Sequence, residues 1–348
     1  MVHCTLMVQA TDIATGCPRD MRMAWAAVLA AAWLCTTVPP SAQAVANGAP
    51  EAPPAMAPQS HQVPTSQPET VRKLRRATEE QIQANRERTE EMGAVLRELD
   101  PSIRVLETPH YTVYSCWSPR SDAGLKRIVE RVHRALCEQS DIPVAGGIYA
   151  GKCPIYILAD GEQFAAFARR LHGDDVPAWA GAYQGQEGEF SWMVLQSLTD
   201  ERRFIEVLVH EATHSFLGRY LTNRPVPRWA NEGLAEMMAA RMVPGCEASR
   251  HHANAAREVV TGRLYMSDTF DGFGVGSDRR VALHYGVAQS LVRFMVLKDR
   301  KAFVRYVTLV KGGAGDAQAL QEAYGMTRRD LLQQWFHAAM KTNGAIGR

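Results

Sequence analysis

The segment VLVHEATHSF, Val207–Phe216, sets the hardest constraint on how this chain can fold. Phe204, Ile205, Leu208, Val209, Ala212 and Phe216 recur at helical spacing, so residues 200–221 read as a buried helix capped by Thr199 or Asp200. Inside this apolar run stand His210, Glu211 and His214. Polar groups drawn out of water need partners, so the fold must supply buried counter-charges or a metal ion. His210 and His214 are i and i+4 and project from one face. Two neutral imidazoles at that spacing can share one zinc ion, with Glu211 beside them to take a proton from water. The alternative is a chance pairing of core histidines, and a third ligand decides between the two.

That ligand has a candidate in PVPRWANEGLAEMMAARMVPG. Pro225 and Pro227 precede a second helix, and Pro244 with Gly245 ends it. Glu232 and Glu236 lie one turn apart on this helix and face the same way. The interval after His214 leaves room for the first helix to finish, a loop to turn and the second helix to pack alongside. Glu232 then completes a His210, His214, Glu232 site with one position open. Glu236 can hold the free ring nitrogen of His210 and fix its tautomer. The competing reading makes both glutamates solvated surface groups, which their neighbours Trp229, Ala230, Leu234, Ala235 and Met238 oppose.

The rest of the chain reads as an α+β order, strands first and helices later. His110–Ser115, Pro154–Leu158 and Trp192–Gln196 read as strands; Asp122–Gln139 and Gln163–Leu171 read as helices. Gly181–Gly188 reads as a turn-rich approach to the last strand, and everything after residue 200 as helical. With 348 residues, 46% of them hydrophobic, there is ample material for a core. A net charge of +2 gives no electrostatic case for nucleic acid or an acidic membrane surface.

The N-terminal region carries a different signal. Met21-Arg22, the apolar run from Ala24 to Val38 and Ser41-Ala-Gln-Ala44 describe a secretory leader over residues 1–44, with Met21 a second candidate start. The run is too short to span a bilayer, so no stable anchor is expected once the leader is cleaved. A secreted or periplasmic location follows. Residues 45–68 read as a disordered linker rich in Ala, Pro, Gln and Ser, and 69–101 as a charged helical arm, solvated or used for docking. The remaining domain spans 102–343. Export would leave Cys116, Cys137, Cys153 and Cys246, an even count that permits two disulfides or four small buried hydrophobes.

HEATH followed by WANEGLAE resembles the gluzincin metallopeptidases, the thermolysin and zinc-aminopeptidase clan, and most of all the compact exported peptidase MA-like domains. The resemblance spans roughly residues 103–342. It implies a zincin-like fold: a small mixed N-terminal sheet with helices, then a helical lobe, with the zinc site between the HExxH and NEGLAE helices. It also implies zinc ligation by Glu232 and an outer supporting role for Glu236. The strand containing Trp192 and Val194 would be the substrate-binding edge, and the run from Tyr285 would match the Tyr-led helix of the aminopeptidases. The amine-binding acid of the aminopeptidase GxMEN strand is missing from Gly181–Gly185, which favours an endopeptidase. The expected function is therefore zinc-dependent hydrolysis of peptide or protein substrates, with one Zn2+ and Glu211 as general base. The rival readings are a non-catalytic binding module on the same scaffold and a zinc amidase acting on cell-wall peptide.

Tyr285 has a second claim, because a phenol facing the metal can donate a hydrogen bond to a developing oxyanion; its alternative is a plain core tyrosine. His284 has the same two readings. His251-His252 reads as a surface pair, and Asp271–Gly276 as a mobile glycine-rich loop near the site.

Overall fold

The computed structural model describes residues 74, 76–145, 147–173 and 181–342. The leader, Met21 and the linker of residues 45–68 lie outside the described residues, as does the start of the charged arm. The elements in chain order are α1 (Glu79–Leu99), β1 (Arg104–Glu107), β2 (Tyr111–Ser115), α2 (Asp122–Gln139), β3 (Cys153–Leu158), α3 (Gly161–His172), β4 (Ala182–Glu187) and β5 (Phe190–Gln196). Among the described residues, helices follow without a further strand: α4 (Glu201–Arg219), α5 (Arg228–Met242), α6 (Glu247–Thr261), α7 (Asp268–Asp271), α8 (Asp278–Lys298), α9 (Arg300–Gly312), α10 (Asp316–Tyr324) and α11 (Arg328–Lys341). The chain is thus α+β, a small mixed sheet with mostly helices around it.

The sheet order is β1-β2-β3-β5-β4. The two inner pairs, β2 with β3 and β3 with β5, are parallel, and the outer pairs are antiparallel. Side-chain alternation divides the core between the two faces. Ile155, Ile157, Met193 and Leu195 join the larger core with α2, α4 and the later helices. Tyr156, Leu158, Trp192 and Val194 join a smaller core with Met92 and Leu96 of α1 and Phe164 and Phe167 of α3.

Two expectations are corrected here. Trp192 and Val194 do not form a substrate-binding edge: β5 lies between β3 and β4, and Val194 is paired on both sides, with Tyr156 and Tyr183. Both side chains also sit in the smaller core, on the face opposite α4. The edge on the β5 side is β4, whose glycine and glutamines read as turn because they carry no strand-forming side chains. The charged arm is not solvated either. Asn85, Thr89, Met92, Gly93 and Leu96 make a buried stripe along α1. Two of these five residues are polar, so hydrophobic spacing undercounts the stripe; Asn85 donates to the carbonyls of Ala150 and Glu189 at 3.0 and 3.2 Å, and the phenols of Tyr114 and Tyr156 donate to the Thr89 carbonyl at 3.2 Å each.

The helix that carries the histidines is fixed at both ends. Asp200 caps it by accepting from the Arg202 and Arg203 amides at 2.9 and 3.4 Å. At its far end the fully buried Lys311 of α9 donates through Nζ to the carbonyls of Leu217 (2.5 Å) and Arg224 (2.8 Å). The amine satisfies the Leu217 carbonyl, which the helix terminus leaves open, and the Arg224 carbonyl beyond it, while burial pulls its pKa down to about 7. Among the described residues, no helix is long and apolar enough to cross a membrane.

The four described cysteines are free, and Cys137, Cys153 and Cys246 are buried; the two permitted disulfides are absent from the fold. In protein lacking residues 1–44, these four thiols should therefore all react with a thiol reagent in denaturant without prior reduction, and two or four missing equivalents would contradict this. Lys311→Met should lower unfolding free energy by about 3 kcal/mol, since it strands buried carbonyls; a urea midpoint within error of wild type would refute the clamp.

Candidate metal centre

His210 and His214, one turn apart on α4, turn their Nε2 atoms toward each other at 2.9 Å. Glu232 of α5 brings Oε2 to 3.5 Å from each of those nitrogens. The three residues are buried, each offers one ligand atom, and together they could hold a metal ion. A tetrahedral site with ligand bonds of about 2.0–2.1 Å has edges of about 3.3–3.4 Å. The triangle formed by these atoms matches that edge length on average, so the donor set fits zinc.

The hydrogen-bond ledger points the same way. Both oxygens of Glu211, Oε2 of Glu232 and Nδ1 of His214 are buried without a hydrogen-bond partner. Stranded polar atoms are uncommon in folded proteins, and several of them gathered around three donor groups are consistent with a place that could hold a cation. Burial pushes the Glu211 carboxyl up to about 7, with the two histidines pulling the other way. Burial would do the same to Glu232, but His214 and His210 overcome it and hold that carboxyl well below the usual range. In His210 burial opposes the charged form, yet Glu236 and Glu232 outweigh it and raise its affinity for a proton. The cluster calls for positive charge, which a divalent cation provides.

Glu236 stands between two imidazoles. Its Oε1 is 3.1 Å from His210 Nδ1, and its Oε2 is 3.1 Å from His252 Nδ1. Burial raises its pKa, but His252 and His210 reverse the effect and keep it ionised. The His210 contact is the expected one; His252 is a correction. Read from sequence as a surface group, it is only 8% exposed and belongs to the buried stripe of α6, with Ala255, Ala256, Val259 and Val260. That stripe follows i, i+3, i+4, i+7 and i+8, a signal present in the sequence and overlooked beside the exposed His251.

Tyr285 reaches the same neighbourhood. α8 can approach α5 closely because Gly233 has no side chain: a Cβ there would lie 2.5 Å from the Ala288 carbonyl oxygen. The Tyr285 ring lies nearly parallel to His252, with centroids 5.9 Å apart, and meets Phe273 edge-on at 5.0 Å. Burial raises the phenol well above its ordinary range, and Glu232 raises it further. Tyr285 therefore keeps its proton and remains a donor. His284 does not share that freedom. It is fully buried, accepts from the Gly274 amide at Nδ1 (3.1 Å) and donates from Nε2 to Asp268 (2.9 Å). Both nitrogens are used in holding the 271–276 loop, so its reading as a second group for the cleft is set aside.

If Glu236 orients both histidines, Glu236→Ala should weaken zinc affinity by roughly 10–100-fold without removing a ligand. His252→Ala should give a smaller loss, because His210 keeps its contact with Glu236. Unchanged affinity in Glu236→Ala, measured by competition with a chelator, would reduce the residue to a packing role.

No protein-family model matches the sequence, and a search of curated proteins finds no match. The residues and distances above therefore carry the functional argument on their own.

Proposed function

We propose that the chain is a zinc-dependent peptidase with a zincin-like arrangement, in which His210, His214 and Glu232 hold one Zn2+. One observation carries the reading: Glu211 is a fully buried carboxylate with both oxygens unpartnered, adjacent in sequence to one metal donor and three residues from another. A purely structural metal site has no use for such a group, and leaving it unpaired costs stability. Bound there, zinc supplies Lewis acidity, polarising a carbonyl and making water easier to deprotonate.

The protein's residues do the remaining work. Glu211, with its pKa raised to about 7 by burial, is poised to take a proton from the attacking water and return it to the departing amine nitrogen. Glu236, with Oε1 3.1 Å from His210 Nδ1, favours a proton on that nitrogen, which would leave the Nε2 lone pair to the donor triangle. Tyr285 supplies a hydrogen bond that strengthens as charge grows on the carbonyl oxygen. Peptide or protein substrates in an exported compartment fit the leader-like N-terminus. Endopeptidase action fits β4, which has no acid within Ala182–Gly185 to hold a free amine.

Glu211→Gln should retain zinc and lose hydrolysis, whereas His214→Ala and Glu232→Ala should lose both. Wild-type turnover in Glu211→Gln would end the enzyme reading. Tyr285→Phe keeps the ring contacts with His252 and Phe273 and deletes only the hydroxyl. Turnover should fall roughly 10²–10³-fold with zinc content and melting temperature retained; full activity would make Tyr285 a packing residue.

A further inference from the structure

The arginines around the 271–276 loop are paired with carboxylates, with one exception. Arg280 donates to Asp268 at 2.8 Å, Arg328 to Asp271 at 2.9 Å, and Arg279 to Glu258 at 3.0 Å. Arg228 has no carboxylate partner among the described residues. It is the first residue of α5 and stands i, i+4 before Glu232, so helical geometry puts it on the face that carries the metal donor. Its side chain is exposed but backed on one side. The guanidinium carbon lies 5.7 Å from the centroid of the Phe273 ring, and Nη1 makes a long 3.5 Å hydrogen bond to the Phe273 carbonyl.

The loop is shaped to receive it. Gly274 has φ +78°, and a Cβ there would come within 3.0 Å of the guanidinium. His284 grips the amide of the same glycine, and Asp268 grips His284. Phe273 bridges the two side chains: the Arg228 guanidinium lies over its ring and the Tyr285 ring meets it at 5.0 Å, and Arg228 pulls the Tyr285 phenol down against burial and Glu232. A cation is thus held one helical turn from Glu232, near the phenol assigned to the carbonyl oxygen, with no carboxylate at ion-pair distance among the described residues.

Resting on the peptidase reading above, we infer that Arg228 makes the subsite next to Tyr285 a carboxylate-binding one. The substrates it favours carry an anionic group close to the scissile bond, either an acidic side chain or a free C-terminal carboxylate. A guanidinium can meet a carboxylate with two parallel charge-assisted hydrogen bonds, whereas a carboxamide offers one neutral acceptor oxygen. Because a rim charge attracts one class of ligand and repels its opposite, Arg228 sets preference without taking part in the bond cleavage.

The test uses the zinc-loaded Glu211→Gln protein, which binds peptides without consuming them. Its probes are blocked heptapeptides of Ala and Leu in which one Glu is moved along the chain, each paired with its Gln counterpart. A second set compares a free C-terminus with its amide, which separates the two sources of carboxylate. In one of the two sets the carboxylate peptide should bind about tenfold more tightly by calorimetry. Adding Arg228→Gln should bring the ratio to near one, Arg228→Lys should keep part of it, and Arg228→Glu should turn the preference toward Lys-containing peptides. That inversion cannot arise from a misfolded variant. Equal binding within every pair, or a preference that survives Arg228→Gln, overturns the inference. Hydrolysis by the wild-type protein reports separately on the peptidase reading: pairs discriminated but no peptide cut leaves the subsite standing, and peptides cut without discrimination removes the subsite alone.

Discussion

Glu232 and Glu236 are withdrawn from water where α4 and α5 pack together, and the surrounding structure answers that cost. Two ionised carboxylates one turn apart on a buried helix face repel each other and lose their hydration. Each is therefore met by imidazoles from a different direction: Glu232 by His210 and His214, Glu236 by His210 and His252. His210 touches both, so it couples the donor triangle to the outer carboxylate. A divalent ion at the triangle would offset negative charge that protons must otherwise neutralise, and would leave the imidazoles to act as lone-pair donors.

The geometry around this charge cluster is made by packing. Asp200 and Lys311 hold the ends of α4, so its two histidines keep a fixed relation to the rest of the core. Gly233, in the middle of the ANEGLAE run, lets α8 close on α5 and brings Tyr285 within the field of Glu232. The motif glycine thus has a spatial reason beside the glutamate it follows. His252 arrives from α6 through an ordinary amphipathic stripe. None of these supports touches the donor triangle directly, yet each bears on where a ligand atom or a proton donor stands.

Sequence reading reached the centre of the site and faded toward its edges. His210, Glu211, His214, Glu232 and Glu236 are readable because helical periodicity converts spacing into direction, and two helices suffice to define them. The boundaries of α2 and the cap of α4 were legible for the same local reason. Three features were not. The strand β4 is held by pairing with β5 rather than by strand-forming side chains, so its Gln-Gly-Gln segment reads as a turn. Helix α1 buries a partly polar stripe whose partners are distant carbonyls and phenols, invisible to a hydrophobicity pattern. The interior place of β5 depends on a crossover and a hairpin, which no local pattern specifies. The family resemblance points to an edge for Trp192 and Val194, whereas the sheet places them in its second core.

The central claim is that one zinc ion sits among His210, His214 and Glu232, and X-ray absorption at the zinc edge, with metal stoichiometry on the same sample, tests it most directly. The account predicts one zinc per chain with only nitrogen and oxygen neighbours at about 2.0–2.1 Å, including the outer-ring scattering of two imidazoles. A sulfur neighbour at about 2.3 Å, a single imidazole, or purified protein that takes up no zinc would contradict it.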